Sequence, residues 1–202
     1  SSVTGANNLG GIVGQIYYSS YSVPTKLVRC ENNGSVQGGY AVGGIAGSAG
    51  GDYVVMEDCS NTSCVESSSN NRVAGIVAYA GSCSYWKITG CSNSGEITGK
   101  TAYGIFNSAG NYATVENCRN SGEITATAGN AAGIGDSLDN AMRVTGCSNS
   151  GKVTATAGAT GIINTVAGFL QDMGGMQNCY NTGTITGNGI VAGVLGNQTK
   201  SG

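Results

Sequence analysis

The sequence contains no histidine. That removes Ser-His-Asp triads, Cys-His dyads and His-ligated zinc together. Charge is also scarce: 9 Lys and Arg stand against 11 Asp and Glu in 202 residues, for a formal net charge of −2. No basic block is present, so nucleic acid and anionic membranes are poor partners. A single proline, Pro24, excludes collagen and polyproline rods. No apolar run approaches the roughly 18 residues of a membrane helix, so no membrane insertion by this segment is expected. No signal peptide is visible, and a secreted chain would be a mature or trimmed form.

What is abundant is glycine, 36 residues, together with 8 cysteines. Six of the cysteines carry a repeated phrase. An apolar residue stands three before the Cys, an Asn two after it, usually a Gly two further on, and a β-branched residue six after the Cys. Val144–Val153 shows it in full, and it recurs at Leu27–Val36, Met56–Val65, Ile88–Ile97, Val115–Ile124 and Met176–Ile185. Cys30, Cys59, Cys91, Cys118, Cys147 and Cys179 lie 27 to 32 residues apart. A fixed period near 30 is the signature of a stacked repeat. Between these phrases lies a second one, a Gly followed by a β-branched residue. Its copies are Gly11-Ile12, Gly44-Ile45, Gly75-Ile76, Gly104-Ile105, Gly133-Ile134, Gly161-Ile162 and Gly193-Val194.

Each repeat thus holds three short apolar segments bounded by Gly, Asn, Ser or Thr, which is the grammar of strands. No segment keeps a 3.6-residue apolar period with caps, so helices should be rare. One repeat cannot bury its apolar face alone, but stacked coils can, each strand pairing with its copy about 4.8 Å above. The expected fold is all-β: a single-stranded parallel β-helix, or β-solenoid, with three strands per coil of about 30 residues. Six full coils and a partial seventh form one domain over residues 1–202, expected to be a repeat segment of a longer array. Crossover chirality favours the right-handed form.

The columns of such a stack have physical meaning. The six cysteines should point inward as a ladder of small apolar side chains. Their Sγ atoms should stay free thiols, because in-register Cβ atoms about 4.8 Å apart exceed the disulfide range. Asn32, Asn61, Asn93, Asn120, Asn149 and Asn181 should stack their amides at a corner. Gly34, Gly95, Gly122, Gly151 and Gly183 are expected at positive φ there, and Ser63, which breaks that column, should distort the second coil. Cys64 and Cys83 are out of register in one coil; they are either a disulfide or two unpaired thiols. Neither end shows a cap, so unpaired strand edges could meet another chain.

Both phrases resemble the GLUG-motif repeats of bacterial surface proteins, including the region preceding some immunoglobulin A–cleaving metallopeptidases. The resemblance is clearest at Gly44-Ile45-Ala46-Gly47, Asn178-Cys179-Tyr180-Asn181-Thr182-Gly183-Thr184-Ile185-Thr186-Gly187 and Gly193-Val194-Leu195-Gly196, and it spans nearly the whole chain. It implies a secreted or cell-wall-anchored bacterial β-solenoid, often in adhesins. No peptidase activity carries over, since no His-Glu-x-x-His motif is present.

For function, the segment between the Gly-Ile pair and the Cys phrase varies in length and is rich in aromatics. Tyr17, Tyr18, Tyr21, Tyr53, Tyr79, Tyr85, Trp86 and Tyr112, with Phe169, are expected on loops along one edge. Such rings could bind sugars or anchor a protein, or simply shield the edge. Trp86 stands out as the central candidate. Glu96, Glu123 and Lys152 share an outward column, read as a solvated face, and Asp136, Asp139 and Asp172 are expected scattered in loops, so catalysis on polysaccharide is disfavoured. A threonine column at Thr4, Thr98, Thr125, Thr154 and Thr186 fails as an ice-binding array, because its second rank, Thr127 and Thr156, breaks at Lys100 and Asn188. No cofactor or metal is expected. The reading is a non-enzymatic structural or adhesive repeat with a host or cell-surface glycan or protein as ligand. End-to-end self-association into a filament is the alternative.

Overall fold

The computed structural model describes residues 1–69, 72–110, 112–139, 143–167 and 175–199. Among these residues every regular element is a strand, and the strands stack in parallel as six coils and part of a seventh. The molecule is a β-solenoid, as the repeat period requires.

The β-branched column builds the first ladder, with Val3, Val36, Val65, Ile97, Ile124, Val153 and Ile185 in register. The second ladder holds the two residues before each inner Gly, from Leu9–Gly10 to Val191–Ala192. The third sheet carries the segment after the Gly-Ile pair and the strand leading to each Cys. A fourth ladder of two-residue strands runs from Glu31–Asn32 to Tyr180–Asn181. It holds the Asn column as a ladder in its own right rather than as a bare corner. In the second and third coils the expected loops are strand instead: Ala46–Glu57 and Val77–Thr89 run unbroken, with one irregularity between Tyr79 and Ser82.

The interior has two apolar regions. One packs the Ile column (Ile45, Ile76, Ile105, Ile134 and Ile162) against Met56, Ile88, Val115, Val144 and the cysteines. The other packs the first ladder against Val42, Val73, Ala102, Ala131 and Ala159. Fully burying one Val or Ile contributes about 1.5–3 kcal/mol. Volume is balanced coil by coil: where Phe106 occupies the column of Val77, the position above it is Gly135, whose Cβ would lie 2.2 Å from the Phe106 ring.

A buried chain of amides accompanies the two apolar regions. Nδ2 of Asn32 donates to Oδ1 of Asn61 at 2.7 Å, and the pattern repeats through Asn93, Asn120, Asn149 and Asn181 at 2.7–2.8 Å. The same Nδ2 atoms donate to the carbonyl two residues on, as in Asn120 to Gly122 at 2.9 Å. Asn61, Asn93, Asn120 and Asn149 are at most 1 % exposed. Room for these amides comes from the second phrase. A Cβ on Gly104 would lie 1.9 Å from the Gly133 carbonyl and 2.8 Å from the Asn120 side chain, and Gly75 and Gly133 meet Asn93 and Asn149 in the same way.

Two expectations are corrected here. Gly34, Gly95, Gly122, Gly151 and Gly183 do not take positive φ. They are glycine because the carbonyl of the preceding coil comes too close: a Cβ on Gly122 would sit 2.0 Å from the Gly95 oxygen. The left-handed residue is the one before each Cys, namely Arg29, Asp58, Gly90, Asn117, Gly146 and Asn178, with φ from 52° to 67°. Asp and Asn tolerate that conformation through local side-chain bonding. Ser63 does not disturb the coil: the first and fourth ladders pass it in register, and its carbonyl accepts from Asn61 at 2.8 Å.

The cysteine column is a set of free thiols, fully buried at Cys59, Cys91, Cys118 and Cys147 and half-buried at Cys30 and Cys179. Cys118 donates to the carbonyls of Glu116 and Ile88 at 3.4 and 3.6 Å. Its thiol neighbours Cys147 and Cys91, together with burial, push its pKa well up. Cys64 is an exposed free thiol at the entry to the first ladder. Cys83 lies on the third sheet opposite Gly51, and its side chain falls outside the described residues.

Replacing Asn120 with Ala removes two donors and strands the Asn93 amide. The expected loss is about 2–4 kcal/mol, against about 1–2 kcal/mol for Asn32→Ala in the first coil, whose oxygen receives no Asn amide. Urea unfolding of the two variants checks this; equal losses would contradict it.

Candidate functional site

The strand leading to each Cys alternates in and out, so the residue three before the Cys faces the core and the residue six before it faces solvent. Position six before the Cys is Tyr53, Tyr85 and Tyr112 in three successive coils. Tyr53 pairs with Tyr85 in the ladder, and their rings stack with centroids 6.2 Å apart and planes at 29°. Tyr85 and Tyr112 stack more closely, at 5.1 Å and 18°. Tyr21, from the segment between the two third-sheet strands of the first coil, closes on them edge-on, 5.4 Å from Tyr53 and 6.0 Å from Tyr85. Each such pair contributes about 0.5–1.5 kcal/mol beyond its area. Tyr112 reaches its place with a left-handed φ of 56°, an uncommon conformation for a bulky residue.

The rings cover one another's faces, leaving edges and hydroxyl groups for a partner. Tyr21, Tyr85 and Tyr112 are exposed at 74, 39 and 48 %. With Tyr53, Lys87 and Thr114, and with Trp86 at its base, they line a shallow cleft of about 230 Å³. Lys87 is two register positions nearer the Cys, in line with Val55 and Thr114.

The other expected aromatics separate from this column. Trp86 is not an edge residue: it is 1 % exposed and belongs to the larger core cluster. The reason is alternation, since Trp86 stands two before the inward Ile88 and therefore points inward itself. Its Nε1 has no partner among the described residues. Tyr79 is held elsewhere, under the Arg72 guanidinium at 3.9 Å; Arg72 also donates to the Tyr40 hydroxyl at 2.6 Å. Tyr17 and Tyr18 are exposed beside a second shallow cleft with Ser19, Ser20, Gly51 and Asp52. Phe169 and Asp172 lie outside the described residues.

Among the carboxylates, Glu123 pairs with Lys152 at 2.8 Å on an exposed face. Asp136 is not in a loop but on the strand Gly135–Asp139, as is Asp139, whose side chain lies outside the description. Asp136 accepts from Asn164 Nδ2 at 3.1 Å, and burial raises its pKa while Asn164 and Tyr103 oppose the rise. Among the described residues no group of three or more His, Cys, Asp or Glu could hold a metal ion, and no helix is long and apolar enough to cross a membrane. No family model, curated protein or solved structure matches the chain.

The alternation predicts opposite phenotypes for neighbours. Trp86→Ala should cost about 3–5 kcal/mol, and Tyr85→Ala less than that, because its ring is 39 % exposed and keeps only contacts among surface rings. Thermal and urea unfolding of the two variants measure this, and a costlier Tyr85→Ala would refute the assignment of faces.

Proposed function

We propose that the chain is a non-enzymatic structural and adhesive β-solenoid region of a secreted or cell-surface bacterial protein. The observation that carries this is the exposed tyrosine column on a coil stack whose ladders pass from coil to coil through the described residues. Continuous ladders resist bending and suit a spacer. The column and Lys87 supply a contact edge of ring edges, phenol hydroxyls and one cation, which suits a host or cell-surface protein or glycan. The GLUG resemblance of both repeat phrases supports the extracellular setting.

A second reading is stacking of copies into a filament: each ladder adds one coil on the next in parallel, a geometry that a second copy placed coil on coil would continue.

The test is flow cytometry of the fluorescently labelled chain on epithelial cells and on bacteria, beside a folded Tyr85→Ala/Tyr112→Ala double variant. The expected result is saturable binding that falls at least about tenfold in the variant, equivalent to about 1.4 kcal/mol. Absent binding, or binding unchanged in the variant, sinks the adhesive reading. Electron microscopy across a concentration series decides the second: unbranched fibres support it, and rods of about 30 Å, six ladder steps at about 4.8 Å, reject it.

A further inference from the structure

The outward column of the Asn ladder carries a cleft with its own chemistry. In register, that column reads Glu31, Ser60, Ser92, Arg119, Ser148 and Tyr180. One small residue, Ser148, stands between two large ones. Since successive coils are about 4.8 Å apart, the Arg119 and Tyr180 backbones are about 10 Å apart, with a recess over Ser148 between them. Ser148 lies at the bottom of the gap, 8 % exposed, while Tyr180 is 57 % exposed. Two residues further along each coil a second row of hydroxyls runs parallel: Ser94, Ser121, Ser150 and Thr182, all exposed. Together these rows line a cleft of about 390 Å³, within the size range of small-molecule sites.

The polar groups of this cleft are hydroxyls, amides and one charge. Arg119 makes no ion pair among the described residues; the two ion pairs there use Arg143 with Glu116 and Lys152 with Glu123. No carboxylate lines the cleft. A planar guanidinium with five N–H donors matches an oxyanion in two-point fashion. Serine hydroxyls both donate and accept, which suits the vicinal hydroxyls of a sugar. The Tyr180 ring, on the far wall, offers an apolar face to sugar C–H groups.

We infer that this cleft binds an acidic sugar unit, with its oxyanion on Arg119, its hydroxyls on Ser121, Ser148 and Ser150, and its ring against Tyr180. As the ligand class of an adhesive surface, the inference rests on the reading above, although it uses none of the tyrosine column. The oxyanion is a uronic-acid carboxylate or a sulfate ester, the same chemistry from two sources.

The test is titration of the ¹⁵N-labelled chain, followed by NMR, with trigalacturonate, a sulfated trisaccharide, neutral trigalactose and sodium sulfate. One acidic trisaccharide should shift the Arg119 side-chain Nε–H and the Ser148, Ser150 and Tyr180 amides saturably, with Kd of order 1 mM, and more weakly as salt rises. The acid that binds more tightly names the source. Arg119→Gln should weaken that binding at least about tenfold, with the remaining amide spectrum unchanged. The Tyr85→Ala/Tyr112→Ala variant should bind as the parent does, which separates this site from the cell-binding edge. The inference is overturned by absence of shifts with both acidic sugars, by neutral trigalactose binding equally well, or by sodium sulfate alone matching the sugars.

Discussion

A primary amide taken out of water costs several kcal/mol unless its two N–H groups and its oxygen all find partners. In this solenoid a column of such amides lies inside the coil, and most of the repeat can be understood as the means of satisfying it. Each Asn from Asn32 to Asn149 spends one N–H on the carbonyl two residues ahead and the other on the Asn one coil up. The first bond closes the tight corner between the fourth and first ladders. The second fixes coil spacing and register, because a slip of one residue would break every link at once.

The two repeated phrases are two sides of this device. The Cys phrase delivers the amide, and the Gly-Ile phrase delivers the wall it packs against, bare of Cβ so that backbone and amide can meet. The following Ile turns into the larger apolar cluster, and the Cys fills the same cluster while its thiol reaches carbonyls of its own coil and of the preceding one. With the cross-section fixed by these few positions, the segment between the phrases is free to vary in length and content. The tyrosine column sits on that segment, and the acidic-sugar cleft occupies the outward positions of the Asn ladder that the scaffold leaves open.

The fold was legible because the repeat period and the strand-length apolar segments both point to stacked coils. The Cys and Asn columns were legible for the same reason, each recurring at a fixed offset. The glycines were harder. Gly122 reads as a turn residue in sequence, yet its need is steric and comes from a carbonyl one coil away, which no local pattern displays. The left-handed position was hidden because Arg29, Asp58, Gly90 and Asn117 share no residue type. For the candidate site, the aromatics were visible but not their faces. Counting back from the inward Ile88 by twos puts Trp86 inside and leaves Tyr85 outside, a signal that lies in strand register and that a loop reading does not display. Arg119 carried no sequence signal, since its meaning depends on the serine above it and the tyrosine above that.

The central claim is that the Asn column is a dry, fully bonded core element. Hydrogen exchange of the Asn side-chain amides, read by NMR in ¹⁵N-labelled protein, tests it most directly. The account predicts that the Nδ2 protons of Asn61, Asn93, Asn120 and Asn149 exchange only through global unfolding, as slowly as the most protected backbone amides. Exchange of these protons as fast as that of exposed Asn130 would contradict it.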